Sequence, residues 1–113
     1  LLSDKYTYTL NGQLDISKSS NWDELMKMQA DFGKRIKGTV GVDFHEIIVD
    51  GNKAVVFATG KMEGVGGKYE NDYALKYKLD ENGKILSTRE WLSDILFATQ
   101  MYGLEICGEK KAL

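Results

Sequence analysis

Residues 68–79 alternate with a period of two. Tyr69, Asn71, Tyr73, Leu75, Tyr77 and Leu79 fall on one side, and Lys68, Glu70, Asp72, Lys76 and Lys78, with Ala74 among them, on the other. A helix cannot use this pattern, because helical side chains share a face every third or fourth residue, whereas successive strand residues point to opposite faces. Lys68 to Leu79 is therefore a long strand with one tyrosine-rich face and one charged face, as in an antiparallel sheet that covers a core on one side. The segments around it read as hairpins. Asp80-Glu81-Asn82-Gly83 turns the chain into a strand from Lys84 to about Ser93, and Gly64-Val65-Gly66-Gly67 is the turn before it. Lys53 to Met62 and Thr39 to Val49 pair across Asp50-Gly51-Asn52, a hairpin turn that tolerates positive φ.

Upstream the period is helical. Trp22, Leu25, Met26, Gln29, Phe32 and Ile36 recur on one face, with Asp23 and Glu24 in the first turn and Lys34, Arg35 and Lys37 in the last, matching the helix dipole. Any of Ser19, Ser20 or Asn21 can cap this helix, and Gly38 ends it. Before it, Lys5 to Leu10 is a β-branched and aromatic strand that stops at Asn11-Gly12. Asp94 to Tyr102 reads as a short helix or an extended closing segment. The order is strand, helix and four hairpin-linked strands, an α+β domain in which a strongly curved antiparallel sheet wraps its apolar face around the helix.

At 113 residues one domain is expected, and 42% hydrophobic with 28% charged residues suits a globular core. The net charge of −2 lacks the basic footprint of a nucleic-acid binder. The tail Gly108-Glu109-Lys110-Lys111 reads as a solvated terminus, and no leader or membrane span is expected, so neither nucleic acid nor membrane is a predicted partner. One cysteine, Cys107, permits no internal disulfide, which fits a reducing, cytoplasmic setting. With His45 as the single histidine, no familiar zinc site can form, and no motif calls for a cofactor. The Gly60 to Gly67 stretch lacks the spacing and following helix of a phosphate loop.

Tyr69-Glu70-Asn71-Asp72-Tyr73, Asn82-Gly83-Lys84-Ile85, and Arg89-Glu90-Trp91 with Asp94 resemble the SnoaL-like branch of the NTF2-like superfamily, which also holds ketosteroid isomerase, limonene epoxide hydrolase and scytalone dehydratase. The resemblance covers nearly the whole chain and implies a cone-shaped fold. It also makes Leu1-Leu2-Ser3-Asp4 look like the end of the family's early helices, so those helices are expected to be shortened or missing. Such cones host isomerases, cyclases, dehydratases and plain binding modules, so the likeness specifies fold more closely than activity.

By the resemblance, Asp94 stands where SnoaL-type cyclases carry their acid/base carboxylate; a helix N-cap is its structural alternative. His45, inside an apolar strand, is a candidate general base or ligand contact, or else a hydrogen-bonded residue on the sheet surface. The stripe Tyr69, Asn71, Tyr73 and Tyr77 offers polar groups in an otherwise apolar cavity, with Trp91 and Phe57 added as ligand-binding candidates. Glu90 reads as a surface ion pair with Arg89. The acid–base pair of ketosteroid isomerase is not carried over. The expected function is binding of a small, largely apolar ligand of aromatic, polyketide or steroid type, with cofactor-free proton transfer by Asp94 and His45. The alternative is a non-catalytic binding or dimerisation module, and a homodimer is expected on either reading.

Overall fold

The computed structural model describes residues 1–107; the Gly108–Lys111 tail lies outside the described residues. The elements are β1 (Leu2–Leu10), β2 (Ser19–Ser20), α1 (Trp22–Arg35), β3 (Lys37–Asp50), β4 (Lys53–Gly64), β5 (Gly67–Leu79), β6 (Ile85–Trp91) and α2 (Asp94–Leu96), which runs on as a π-helical turn, Phe97–Met101. The strands form one curled sheet in the order β2-β1-β6-β5-β4-β3, antiparallel except for the β1–β6 pair.

Three of the sequence's cues act where expected. Asn21 caps α1 and forms a reciprocal capping box with Glu24, whose side chain returns to the Asn21 N–H at 3.0 Å. The β3–β4 and β4–β5 hairpins turn at Gly51 and at Val65–Gly66, with unbroken register from Lys53↔Lys78 to Gly64↔Gly67. The alternation of β5 puts Tyr69 and Asn71 in the interior and Lys76 and Lys78 in solvent.

The first residues differ from the expectation. Leu2 to Asp4 extend β1 instead of ending a helix: Leu2 pairs with Ile85, whose N–H donates to the Leu1 carbonyl at 2.8 Å. Leu2 also packs beside Tyr6, Tyr8, Leu10 and Leu25 in the first of two apolar clusters. An unpaired β6 edge is a strong template for backbone bonding, and β1 satisfies it. Likewise Ser93, and not Asp94, is the N-cap of α2, accepting from the Leu96 N–H. The second cluster gathers Tyr69, Phe97 and Met101, with Phe32 stacked on Phe97 at 5.6 Å, and thereby fastens α1 and the π-helical turn to the concave face of the sheet.

Candidate functional site

Between that concave face and the two helices lies a cavity of about 350 Å³. Its wall is apolar almost throughout. Met28 and Phe32 come from α1, Val42 and Phe44 from β3, Met62 from β4, and Phe97 and Tyr102 from the closing segment. The polar groups are few: Gln29, the tyrosines Tyr8, Tyr73, Tyr77 and Tyr102, and one carboxyl group, Glu90.

Contrary to the expectation from its neighbour Arg89, Glu90 is not a surface ion-pair partner but lines the cavity. Neighbouring residues of a strand point to opposite faces, so Arg89 and Glu90 cannot both be outside. Glu90 pairs with Leu75 of β5 and lies beside Leu10 of β1, and all three line the cavity. The hydroxyl of Tyr8 donates to its carboxylate. Burial pushes the Glu90 carboxyl above the usual carboxylate range, and the Tyr8 bond offsets only part of that rise. Burial, with the Glu90 charge next, drives the Tyr8 phenol far up, so Tyr8 stays a neutral donor. The signal was legible in Thr88, Glu90 and Leu92, which alternate with Ser87, Arg89 and Trp91.

The tyrosine stripe divides. Tyr73 and Tyr77 line the cavity, whereas Tyr69 and Asn71 are buried behind it. The Asn71 amide is fixed at both ends: its Oδ1 accepts the Ser93 N–H at 3.0 Å, and its Nδ2 donates to the Ser93 carbonyl and to the Tyr69 hydroxyl. Tyr69 and Tyr73 share a hydroxyl–hydroxyl bond of 2.7 Å. Gly60 seats the Tyr73 ring; a Cβ there would lie 2.8 Å from the ring's Cε2.

Asp94 does not line the cavity. Its Oδ2 accepts the Gln13 N–H at 2.8 Å, and its other oxygen lies against Gly12, where a Cβ would come within 2.2 Å of it. Gly12 has φ +130°, so glycine is required here both for conformation and for room. His45 sits on the opposite, convex face of the sheet, at a bulge between Phe44 and Glu46. Its Nε2 is 2.6 Å from the Thr59 hydroxyl, which donates to Asp72 at 2.7 Å. Asp94 and His45 are thus bonded to different neighbours and are not brought together. Phe57 and Trp91 are also on the convex face, in one row with Ala74.

Among the described residues no three acidic, His or Cys side chains are placed to hold a metal ion, and no helix is long and apolar enough to cross a membrane.

No family model and no curated protein matches the chain. Solved structures do. A SnoaL-like polyketide cyclase from Jannaschia sp. CCS1 aligns over 92% of this chain and 75% of its own, with 10% identity and a TM-score of 0.73. The BvnE pinacolase of Penicillium brevicompactum aligns over 87% and 70%, with 16% identity and a TM-score of 0.75. A Catenulispora acidiphila protein of ketosteroid-isomerase-like fold, solved with trimethylamine, aligns over 93% and 78%, with 17% identity and a TM-score of 0.73. The architecture is the NTF2-like fold, as the sequence motifs suggested. At these identities the likeness defines the fold and leaves the chemistry to be argued from the cavity itself.

Proposed function

We propose that the chain binds a small, largely apolar molecule in this cavity and moves a proton on it, with Glu90 as the acid/base. One observation carries the reading: Glu90 is the one carboxyl among the lining residues, it is desolvated, and Tyr8 aims it. A carboxyl whose pKa is raised by burial is a better base once ionised and a usable acid near neutrality. Isomerase, cyclase and dehydratase steps use such a group, and the solved structures of similar fold include one named for SnoaL-like polyketide cyclases. Asp94 acts on this reading as an anchor of α2 against Gly12 and Gln13 rather than as the base. A cytoplasmic setting accompanies the proposal, consistent with the single free thiol, Cys107.

The test is solvent-proton exchange into a bicyclic ketone. Glu90 would remove a proton from the carbon beside the carbonyl of 2-tetralone, the C–H electrons would pass to the oxygen as an enolate, and the carboxyl, exchanged in D₂O, would return a deuteron. Wild type should speed deuterium uptake over buffer, Glu90→Gln should lose on the order of 100-fold or more of that gain, and Asp94→Asn should keep it. Uptake by wild type at the buffer rate, with the ketone bound, would leave a binding module without catalysis.

A second reading concerns the convex face, which we propose pairs with a second copy of the chain. Along β5 its outward residues run Glu70, Asp72, Ala74, Lys76 and Lys78, two acids and two bases disposed antisymmetrically about Ala74. A twofold axis through Ala74 sets each base of one copy against an acid of the other, and the half-exposed Phe57 and Trp91 flank that axis.

A further inference from the structure

The hydrogen bonds behind the cavity have a direction, and that direction names the ligand's chemistry. A backbone N–H can only donate, so the Ser93 N–H identifies the Asn71 atom it meets as the amide oxygen. The Asn71 nitrogen must then face Tyr69 and donate to its hydroxyl, at 2.8 Å. Tyr69 is fully buried, and apart from Asn71 its hydroxyl meets only that of Tyr73. A buried hydroxyl with its proton unplaced is costly, and the Tyr69 proton has one acceptor within reach, the Tyr73 oxygen. The relay therefore runs from Asn71 to Tyr69 to Tyr73. The Tyr73 proton, displaced from the pair, has no acceptor among the described side chains, and its ring lines the cavity.

We infer that Tyr73 is a hydrogen-bond donor aimed at the ligand, that Asn71 is the positioning residue that sets this polarity, and that the ligand presents an acceptor oxygen, of carbonyl type, to it. The inference rests on the proposed ligand cavity and adds to it the class of molecule: an apolar body carrying an unprotonated oxygen. In that arrangement Tyr73 would bear the charge that develops on the oxygen when Glu90 withdraws a neighbouring proton. Burial holds the Tyr73 phenol far above its ordinary range, which keeps the donor protonated. Gly60 belongs to the same device, since any side chain there would displace the ring.

The experiment compares 2-tetralone with tetralin, which has the same bicyclic body and no oxygen, by titration calorimetry on the whole chain. Wild type should bind the ketone roughly five- to tenfold more tightly, the worth of about one hydrogen bond. Tyr73→Phe should bring the ratio near one, with tetralin still bound. Asn71→Asp, at a pH where the new carboxylate is ionised, should turn the relay round. That carboxylate would accept the Tyr69 proton, Tyr69 would accept from Tyr73, and Tyr73 would present only an acceptor. The ketone preference should vanish with every tyrosine in place, and 2-naphthol, a donor, should gain over the ketone. A wild-type ratio of one, or a ratio unchanged in Tyr73→Phe, overturns the inference while tetralin binding upholds the cavity. Failure of wild type to bind both compounds overturns the cavity reading and this inference with it. Should Asn71→Asp not fold, Tyr73→Phe decides alone.

Discussion

Tyr8 and Glu90 lie diagonally across the sheet's one parallel strand pair, two residues apart in register, and the phenol of the first donates to the carboxylate of the second. β1 supplies the donor and β6 the acceptor, so the strand order itself assembles the bond. A hairpin could not do so with these residues, because they are 82 positions apart. The position of β1 beside β6 thus does more than satisfy a sheet edge, since it fixes the one ionisable carboxyl of the cavity.

The first prediction concerns stability against pH. Burial raises the Glu90 carboxyl, so the folded state holds its proton more tightly than the unfolded chain does. The resulting contribution favours folding fully below the ordinary glutamate pKa of about 4.3. It is lost as pH rises through the raised folded value. Glu90→Gln keeps an acceptor for Tyr8 and has no charge to bury. Melting temperatures of the two proteins should therefore differ least near pH 4, with the variant gaining steadily towards neutrality. A difference that stays constant across that range would mean that Glu90 is well solvated.

Gly12→Ala should be the most damaging small change near Asp94. The new Cβ would meet the carboxylate at 2.2 Å, on a backbone with φ +130° that alanine avoids. We expect a loss of about 2–4 kcal/mol, read as a drop in urea midpoint with an unchanged slope. Asp94→Asn keeps an oxygen for the Gln13 N–H and should cost about 1 kcal/mol or less. If Gly12→Ala were neutral, Asp94 would not be packed on the Gly12–Gln13 backbone.

Much of this was written in the chain, and the misses have physical causes. The two-residue period of β5 and the three-to-four-residue period of α1 gave the elements, and the turn glycines gave the hairpins. Tyr73 and Tyr77 were found by the same rule. Glu90 was missed because it stands beside Arg89, and opposite charges in sequence suggest a pair that strand geometry forbids. Asp94 carried weight through likeness to cyclases, but its partner Gln13 lies 81 residues away and leaves no local mark. Nor does sequence show which side of a two-sided strand faces inward, and for that reason Phe57, Trp91 and His45 were credited to the cavity. Their apolar or catalytic character fits either face.

Gly60→Ala probes the cavity through the seat of the Tyr73 ring. Alanine suits a strand better than glycine, so the fold should hold or gain slightly. Yet its Cβ would press on Tyr73 Cε2 at 2.8 Å and move the ring into the space a ligand needs. Tetralin affinity should fall about tenfold, by analogy with overpacked cores where such displacement costs about 1–3 kcal/mol, while the melting temperature changes little. Unchanged affinity would place the ligand away from Tyr73.

The convex face provides the last prediction. If two copies stack about Ala74, Lys78 of one faces Glu70 of the other, and symmetry makes that contact twice. Lys78→Glu alone sets two carboxylates together, and Glu70→Lys alone sets two ammonium groups together. Either should weaken the dimer by roughly fourfold to several hundredfold, since exposed pairs are worth about 0.2–1 kcal/mol each, like charges cost as much, and the contact occurs twice. The double variant reverses both signs and restores the match, so its dissociation constant should return close to wild type. Trp91→Glu, which places a charge in the apolar row, should give a monomer. Sedimentation equilibrium at low ionic strength reads wild type and all four variants. Singles and double alike indistinguishable from a wild-type dimer would move the interface off this axis, and a wild type that stays monomeric at micromolar concentration would remove the pairing altogether.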